Sequence, residues 1–147
     1  MSKVLGVDYG EQRTGVAISD ESRQIAFPRE TLHCPRVEQA AAAVARLAEA
    51  EPVLEIVVGY PLNMNGTLGA RTARTDEFLA ELAKRTAIPL KKWDERLSTK
   101  IAEAVLIEAG TSRGKRRGVV DKLAAQVILQ GYLDATGGGP VGEGDEP

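Results

Sequence analysis

Three acidic positions in this sequence stand where carboxylates can do chemistry. Asp8 ends the apolar run Val4–Val7, and the pair Asp94–Glu95 ends the run Ile88–Trp93. Runs of this kind are typical of buried strands. An acid at the end of a buried strand lies at the carboxyl edge of the sheet, where the sites of α/β proteins gather. A turn-initiating aspartate is the alternative for Asp8.

Asp121 is the third acid, and its helical spacing sets it apart from a surface residue. Positions 121, 124, 125, 128, 129 and 132 form one stripe of a helix, and its other members are apolar or aromatic. A solvated acid is expected on the opposite face, with Lys122 and Gln126. An interaction with the helix N-terminus is the alternative to a metal-binding role.

Convergence of these acids predicts a site for hard divalent cations. Three close carboxylates repel one another, so their pKa values should rise unless a cation is present. Mg²⁺ or Mn²⁺ accepts carboxylate oxygens, and two such ions roughly 4 Å apart can hydrolyse a phosphodiester. Successive strand residues point to opposite faces, so only one of Asp94 and Glu95 can join the site. With His33 and Cys34 as the only histidine and cysteine, neither zinc nor a cysteine–histidine pair is favoured.

The elements that must position these acids are short strands alternating with amphipathic helices. Glycines 10 and 15 bound a tight turn between the first two strands. The pattern predicts an α/β domain with a mixed five-stranded sheet flanked by helices, its first three strands antiparallel and the later ones parallel. The predicted strands are Lys3–Asp8, Val16–Ser19, Phe27–Leu32, Leu54–Val58 and Ile88–Asp94; the predicted helices are Pro35–Ala50, Arg71–Arg85, Thr99–Ala109 and Val119–Ala135.

Composition is that of a single soluble domain. The chain has 147 residues, 43% hydrophobic and 27% charged, with a net charge of −2. Residues 1–136 are predicted to form the domain, and the glycine-rich, acidic segment 137–147 is predicted to be a disordered tail. No apolar run approaches the roughly 18 residues of a membrane span, and no signal peptide is visible. One cysteine and no leader favour a cytoplasmic location.

Four segments of the chain resemble the motifs of one family, in order: Val7–Asp20, Val58–Gly66, Asp94–Thr99 and Asp121–Gln130. The family is the YqgF/RuvX-like proteins, described as pre-16S rRNA nucleases and as Holliday-junction resolvase-like proteins. The resemblance covers Val4 to Asp134. It implies an RNase H-like fold and a cytoplasmic nuclease of ribosome biogenesis that matures the 5′ end of 16S rRNA. It also assigns the catalytic, metal-binding acids to Asp8, Glu95 and Asp121.

Cationic and amide side chains near strand ends and helix starts are candidates for binding nucleic acid. Phosphate contacts hold the backbone without reading its sequence. A loop at residues 111–118 is predicted to carry four of these cations beside the metals. Surface charge that merely keeps the protein soluble is the alternative for each cation. The candidates are Arg13, Asn63, Asn65, Arg71, Arg74, Arg96, Lys100, Arg113, Lys115, Arg116 and Arg117.

Three other functions fit parts of the pattern. An ATPase of the actin and Hsp70 class shares the glycine-bearing hairpin but needs two domains, for which the chain is too short. A non-catalytic RNA-binding module is disfavoured because all three acids are present. A Holliday-junction resolvase keeps the chemistry but acts on branched DNA as a dimer. The expected partner is thus structured RNA or branched DNA, bound by a monomer or homodimer.

Overall fold

A computed structural model of the chain describes residues 2–61, 69–94 and 113–136, with backbone alone for residues 113–121. The described elements are five strands and three helices. They are β1 (Lys3–Asp8), β2 (Arg13–Ser19), β3 (Ala26–His33), α1 (Val37–Ala50), β4 (Val53–Tyr60), α2 (Ala70–Ala83), β5 (Leu90–Asp94) and α3 (Arg113–Ala135).

The five strands form one mixed sheet in the order β3-β2-β1-β4-β5. β2 pairs antiparallel with both β1 and β3, whereas β4 pairs parallel with both β1 and β5. The predicted α/β class, strand number and strand directions are therefore confirmed. In the parallel part of the sheet, β1, β4 and β5 all end at the same edge.

Helices cover the two faces of the sheet unequally. Alternate residues of β1 point to opposite faces, as a strand requires. Leu5 and Val7 pack with Phe78 in the core beneath α1 and α2. Val4 packs with Ile128 in a second core beneath α3. The central parallel strands β1 and β4 are thus buried on both sides, as parallel strands usually are.

Gly6 allows α3 to lie directly on β1. A Cβ atom at residue 6 would lie 2.7 Å from Cβ of Leu129 and 3.3 Å from the carbonyl oxygen of Ala125. The first distance is shorter than real Cβ contacts and the second is tight, so a side chain at residue 6 would force α3 to shift. The close approach fixes which turn of α3 faces which residue of β1.

Several element boundaries differ from the predictions. β4 continues through Tyr60, because Gly59 and Tyr60 pair with the end of β5. The prediction of a basic loop at residues 111–118 was wrong from Arg113 onward, because α3 begins there. Two glycines, at 114 and 118, disfavour a helix by about 1 kcal/mol each, but the packed part of α3 supplies its nucleus and the intervening lysine and arginines are good helix formers.

Two predicted segments are not covered by the description. The helix predicted at Thr99–Ala109 and the tail at 137–147 lie outside the described residues. Within residues 2–61, 69–94 and 113–136, no helix is long and apolar enough to cross a membrane.

We predict that Gly6→Ala destabilises the protein by about 1–3 kcal/mol, because the added methyl group must push α3 away from β1. Gly131→Ala is the matched control. Its Cβ atom would meet the Trp93 indole ring, with Nε1 at 3.2 Å and Cε2 at 3.9 Å. There the helix-propensity gain of up to about 1 kcal/mol offsets a small shift of that side chain. Urea denaturation of both variants measures the difference, and equal midpoints would contradict the role given to Gly6.

Candidate functional site

The strand-end acids lie at the carboxyl edge of the parallel strands. Val7 pairs with Val58 on one side of β4, and Tyr60 pairs with Asp94 on the other. Asp8 and Asp94 therefore end the two strands that flank β4. This edge is where the predicted site was expected.

Asp8 belongs to the α3 face of the sheet. It follows Val4 and Gly6 at the two-residue period of β1, and both of these residues pack against α3. Its side chain is partly buried. Asp8 also makes a side-chain or electrostatic contact within the protein.

The direction of α3 brings position 121 to the level of Asp8. The Tyr132 hydroxyl bonds to Glu55, which pairs with Val4 near the start of β1. Ala125 and Leu129 lie at the level of Gly6. α3 thus runs opposite to β1, and one more helical turn, about 5.4 Å, matches two strand residues, about 6.6 Å.

The stripe predicted on the last helix agrees with the packing that is described. Its apolar and aromatic members are all buried: Ala124, Ala125, Ile128, Leu129 and Tyr132. Asp121 occupies the next position of this stripe toward the helix N-terminus, although its side chain is not described.

The pair Asp94–Glu95 is divided by the alternation of β5. Asp94 pairs with Tyr60, whose hydroxyl donates to Asp76 of α2 at 2.9 and 3.1 Å. Asp94 therefore belongs to the α2 face, opposite to Asp8. Trp93 belongs to the α3 face, where its ring meets Tyr132 edge-on at 5.6 Å. Glu95 lies outside the described residues.

A buried polar contact anchors α3 to the sheet behind this edge. Glu55 and Tyr132 are each 4% exposed, and the Tyr132 hydroxyl donates to Glu55 Oε2 at 2.6 Å. Burial raises the pKa of Tyr132, and the bond to Glu55 raises it further, so the hydroxyl remains a donor. Through its contact with Trp93, Tyr132 also fixes the end of β5 against α3.

The turn after Asp8 contacts α2 on the other face of the sheet. Tyr9 stacks on Phe78 with ring centroids 4.6 Å apart. Burial, with the nearby carboxylates of Glu77 and Glu11, raises the pKa of Tyr9. Glu11 forms an ion pair with Arg74 of α2.

A cavity of about 180 Å³ opens where this turn meets α2. It brings together Arg71 and Arg74, two of the cations predicted to bind nucleic acid. Tyr9 and Glu11 were not predicted to belong to a site, and no spacing in the sequence signals their contact with α2. The lining residues are Tyr9, Gly10, Glu11, Arg71, Arg74 and Thr75.

The remaining predicted residues divide into three groups. Arg13 begins β2, partly buried, and makes contacts within the protein. Arg113, Lys115, Arg116 and Arg117 lie on the first turns of α3, with side chains that are not described. Outside the described residues lie Asn63, Asn65, Arg96 and Lys100.

No metal centre is formed by the described side chains alone. Among them, no three histidine, cysteine, aspartate or glutamate residues cluster closely enough to hold an ion. Of the three predicted acids, Asp8 is the one whose side chain is described.

The model of the RuvX family, described as "Holliday junction resolvase", matches residues 2–135. This chain belongs to the RuvX family. Its relatives include the "Putative pre-16S rRNA nuclease" of Halothermothrix orenii, 48% identical over 90% of this chain and 94% of the relative. The protein of the same name from Symbiobacterium thermophilum is 47% identical over 94% and 96%. The resemblance seen in the four motifs is confirmed, and with it the assignment to a family whose members are named as nucleases.

Solved structures of nucleases share this fold. Thermus thermophilus RuvC in complex with a Holliday junction substrate has a TM-score of 0.59 at 16% identity, covering 94% of this chain and 97% of RuvC. Fowlpox virus resolvase with its Holliday junction DNA has a TM-score of 0.57 at 12% identity, covering 90% and 97%. The predicted RNase H-like architecture is therefore confirmed.

We predict that Tyr132→Phe costs about 1–3 kcal/mol of unfolding free energy, because the buried Glu55 carboxylate loses its donor. Tyr60→Phe removes the same atom from an exposed bond to Asp76 and should cost less than about 1 kcal/mol. Thermal and urea denaturation of the two variants measure both values. A Tyr132→Phe protein as stable as Tyr60→Phe would show that the Glu55 contact does not anchor α3.

Proposed function

We propose that this protein is a cytoplasmic, metal-dependent nuclease that processes the 5′ end of pre-16S rRNA, with Asp8, Glu95 and Asp121 as its catalytic acids. The observation that carries the proposal is the alignment of α3 with β1. Packing at Gly6 supports a position for residue 121 at the level of Asp8, on the same face of the sheet.

The choice of Glu95 over Asp94 follows from the faces of β5. Asp94 shares the α2 face with Tyr60, away from Asp8. Trp93 shares the α3 face with Asp8. By the two-residue period of a strand, a residue that continued β5 after Asp94 would share the face of Trp93. We therefore infer that Glu95, and not Asp94, joins Asp8 and Asp121.

The donor set fits Mg²⁺ or Mn²⁺. Carboxylate oxygens at a partly buried sheet edge are the ligands that these hard ions prefer. We propose that Asp8, Glu95 and Asp121 hold two such ions. When bound, the ions would activate a water molecule and stabilise the leaving oxygen of a phosphodiester.

In this proposal, packing around α3 positions the catalytic acids, and cationic side chains position the substrate. The buried stripe packs α3 against the sheet, and Tyr132 keeps β5 beside α3. We propose that this packing positions Asp121 for its role. The cations at the sheet edge and on the first turns of α3 are proposed to hold the phosphate backbone. Contacts of this kind position a nucleic acid without reading its sequence.

The name shared by the relatives, at 41–48% identity, favours pre-rRNA as the substrate. The family's description as a Holliday junction resolvase supports a second candidate, the cleavage of four-way DNA junctions by a homodimer. The chemistry at the three acids is the same for both, so a substrate comparison separates them.

We predict that purified protein cleaves a structured RNA carrying the 16S 5′ leader when Mg²⁺ or Mn²⁺ is present, and that a chelator stops the reaction. Asp8→Asn should abolish cleavage, because it removes a charge from the proposed metal site. Asp134→Asn is the control, since Asp134 lies exposed at the other end of α3.

Gel analysis of labelled RNA and of a labelled four-way DNA junction gives the readout, with melting curves to verify folding. Full activity of Asp8→Asn would contradict the proposed site. Cleavage of the junction but not of the RNA would favour the resolvase function.

A further inference from the structure

Two arginines, Arg71 and Arg74, line the cavity between the turn after Asp8 and α2. Arg71 and Arg74 are three residues apart on α2, so both lie on the helix face that borders the cavity. Both residues are exposed to solvent. Two guanidinium groups therefore border one small opening together with the Glu11 carboxylate. The Glu77 carboxylate lies near Tyr9, and Arg71 has a contact of its own within the protein.

The stability of α2 does not account for these cations. The first turn of α2 holds no acidic residue, whereas the first turn of α1 holds Glu38. A cation near a helix N-terminus is unfavourable by about 0.3–1 kcal/mol, because the helix dipole is positive there. Arg71 therefore stands where the helix itself would favour an acid.

Glu11 compensates part of this charge through an exposed ion pair. The side chains of Arg74 and Glu11 are 45% and 59% exposed. Exposed pairs contribute little, in the range of 0–1 kcal/mol. A phosphate can therefore replace Glu11, because arginine binds phosphate through two parallel charge-assisted hydrogen bonds.

The cavity also lies close to the proposed catalytic edge. Tyr9, Gly10 and Glu11 follow Asp8 directly in the chain. A side chain at Gly10 would overlap the carbonyl oxygen of Arg13, so the turn is held tightly against the start of β2. The stacked rings of Tyr9 and Phe78 hold its other side against α2.

We propose that this cavity binds a phosphate group of the substrate strand other than the scissile one, and that Glu11 occupies Arg74 until that phosphate displaces it. The inference rests on the proposed nuclease function. In this scheme Arg71 and Arg74 hold the phosphate. Glu11 weakens the binding of nucleic acids that do not reach the cavity.

Binding without cleavage tests this directly. Fluorescence anisotropy with a labelled RNA hairpin that carries a single-stranded 5′ extension, in EDTA, compares the wild type with Glu11→Gln. We expect Glu11→Gln to bind roughly two- to fivefold more tightly, as expected for removing an exposed carboxylate competitor. The difference in affinity between the wild type and Glu11→Gln should shrink as salt is added, because salt screens the Glu11–Arg74 pair.

Glu81→Gln is the matched control. It also removes one negative charge that pairs with arginine and lysine, because the Glu81 carboxylate contacts Lys84 and Arg85 at the far end of α2. Arg74→Gln should bind the RNA more weakly than the wild type. The gain in affinity from Glu11→Gln should be smaller in the Arg74→Gln background than in the wild type. RNA with a 5′-phosphate and RNA with a 5′-hydroxyl distinguish a terminal phosphate from an internal one.

Equal gains in Glu11→Gln and Glu81→Gln would overturn the proposal, because the effect would then be one of net charge. Weaker binding by Glu11→Gln, or no binding by any variant at low salt, would overturn it as well. Because the readout is affinity in the absence of metal, failure of the catalytic proposal would appear separately, as absence of cleavage.

Discussion

The position of α3 on the sheet depends on one steric constraint, the close contact between β1 and α3 at Gly6. A Cβ atom there would meet Leu129 at 2.7 Å, so the helix can lie this close only over a glycine. The contact sets the register between a strand that ends in Asp8 and a helix that carries Asp121. Burial of Ile128 and Leu129 against Val4 and Val57 stabilises the same arrangement. Core packing and the proposed site thus share their determinants.

At this edge, the two faces of the sheet carry different candidate residues. On the α3 face, Asp8 lies beside a helix whose stripe continues to position 121. On the α2 face, the turn after Asp8 meets Arg71 and Arg74. Alternation along β1 connects the two, because neighbouring residues point to opposite faces.

Local patterns in the sequence were sufficient for much of the fold. The apolar run before Asp8 and the spacing around Ile128 predicted a buried strand and a packed helix, and both occur. Element ends were less predictable, because pairing partners decide them. Tyr60 is in a strand because it pairs with Asp94, and Arg113 is in a helix because the packed turns after it supply the nucleus.

The candidate site was predictable only in its sequence-local part. The end of an apolar run made Asp8 a candidate, and the helical stripe made Asp121 a candidate. Strand alternation predicted that only one of Asp94 and Glu95 can join the site. The face of Asp94 follows from its pairing with Tyr60, whose hydroxyl contacts Asp76 of α2. The pairing of Glu11 with Arg74 joins segments distant along the chain, and no periodicity encodes it.

The most direct measurement of the central claim is Mn²⁺ binding, followed by electron paramagnetic resonance, in the absence of nucleic acid. The account predicts that Glu95→Gln and Asp121→Asn each weaken binding by about tenfold or more, since even outer-shell changes at metal sites cost about 10–100-fold. Asp94→Asn, one residue from Glu95, should bind Mn²⁺ as the wild type does. Equal losses in Asp94→Asn and Glu95→Gln, or unchanged binding in Asp121→Asn, would contradict the convergence of these acids.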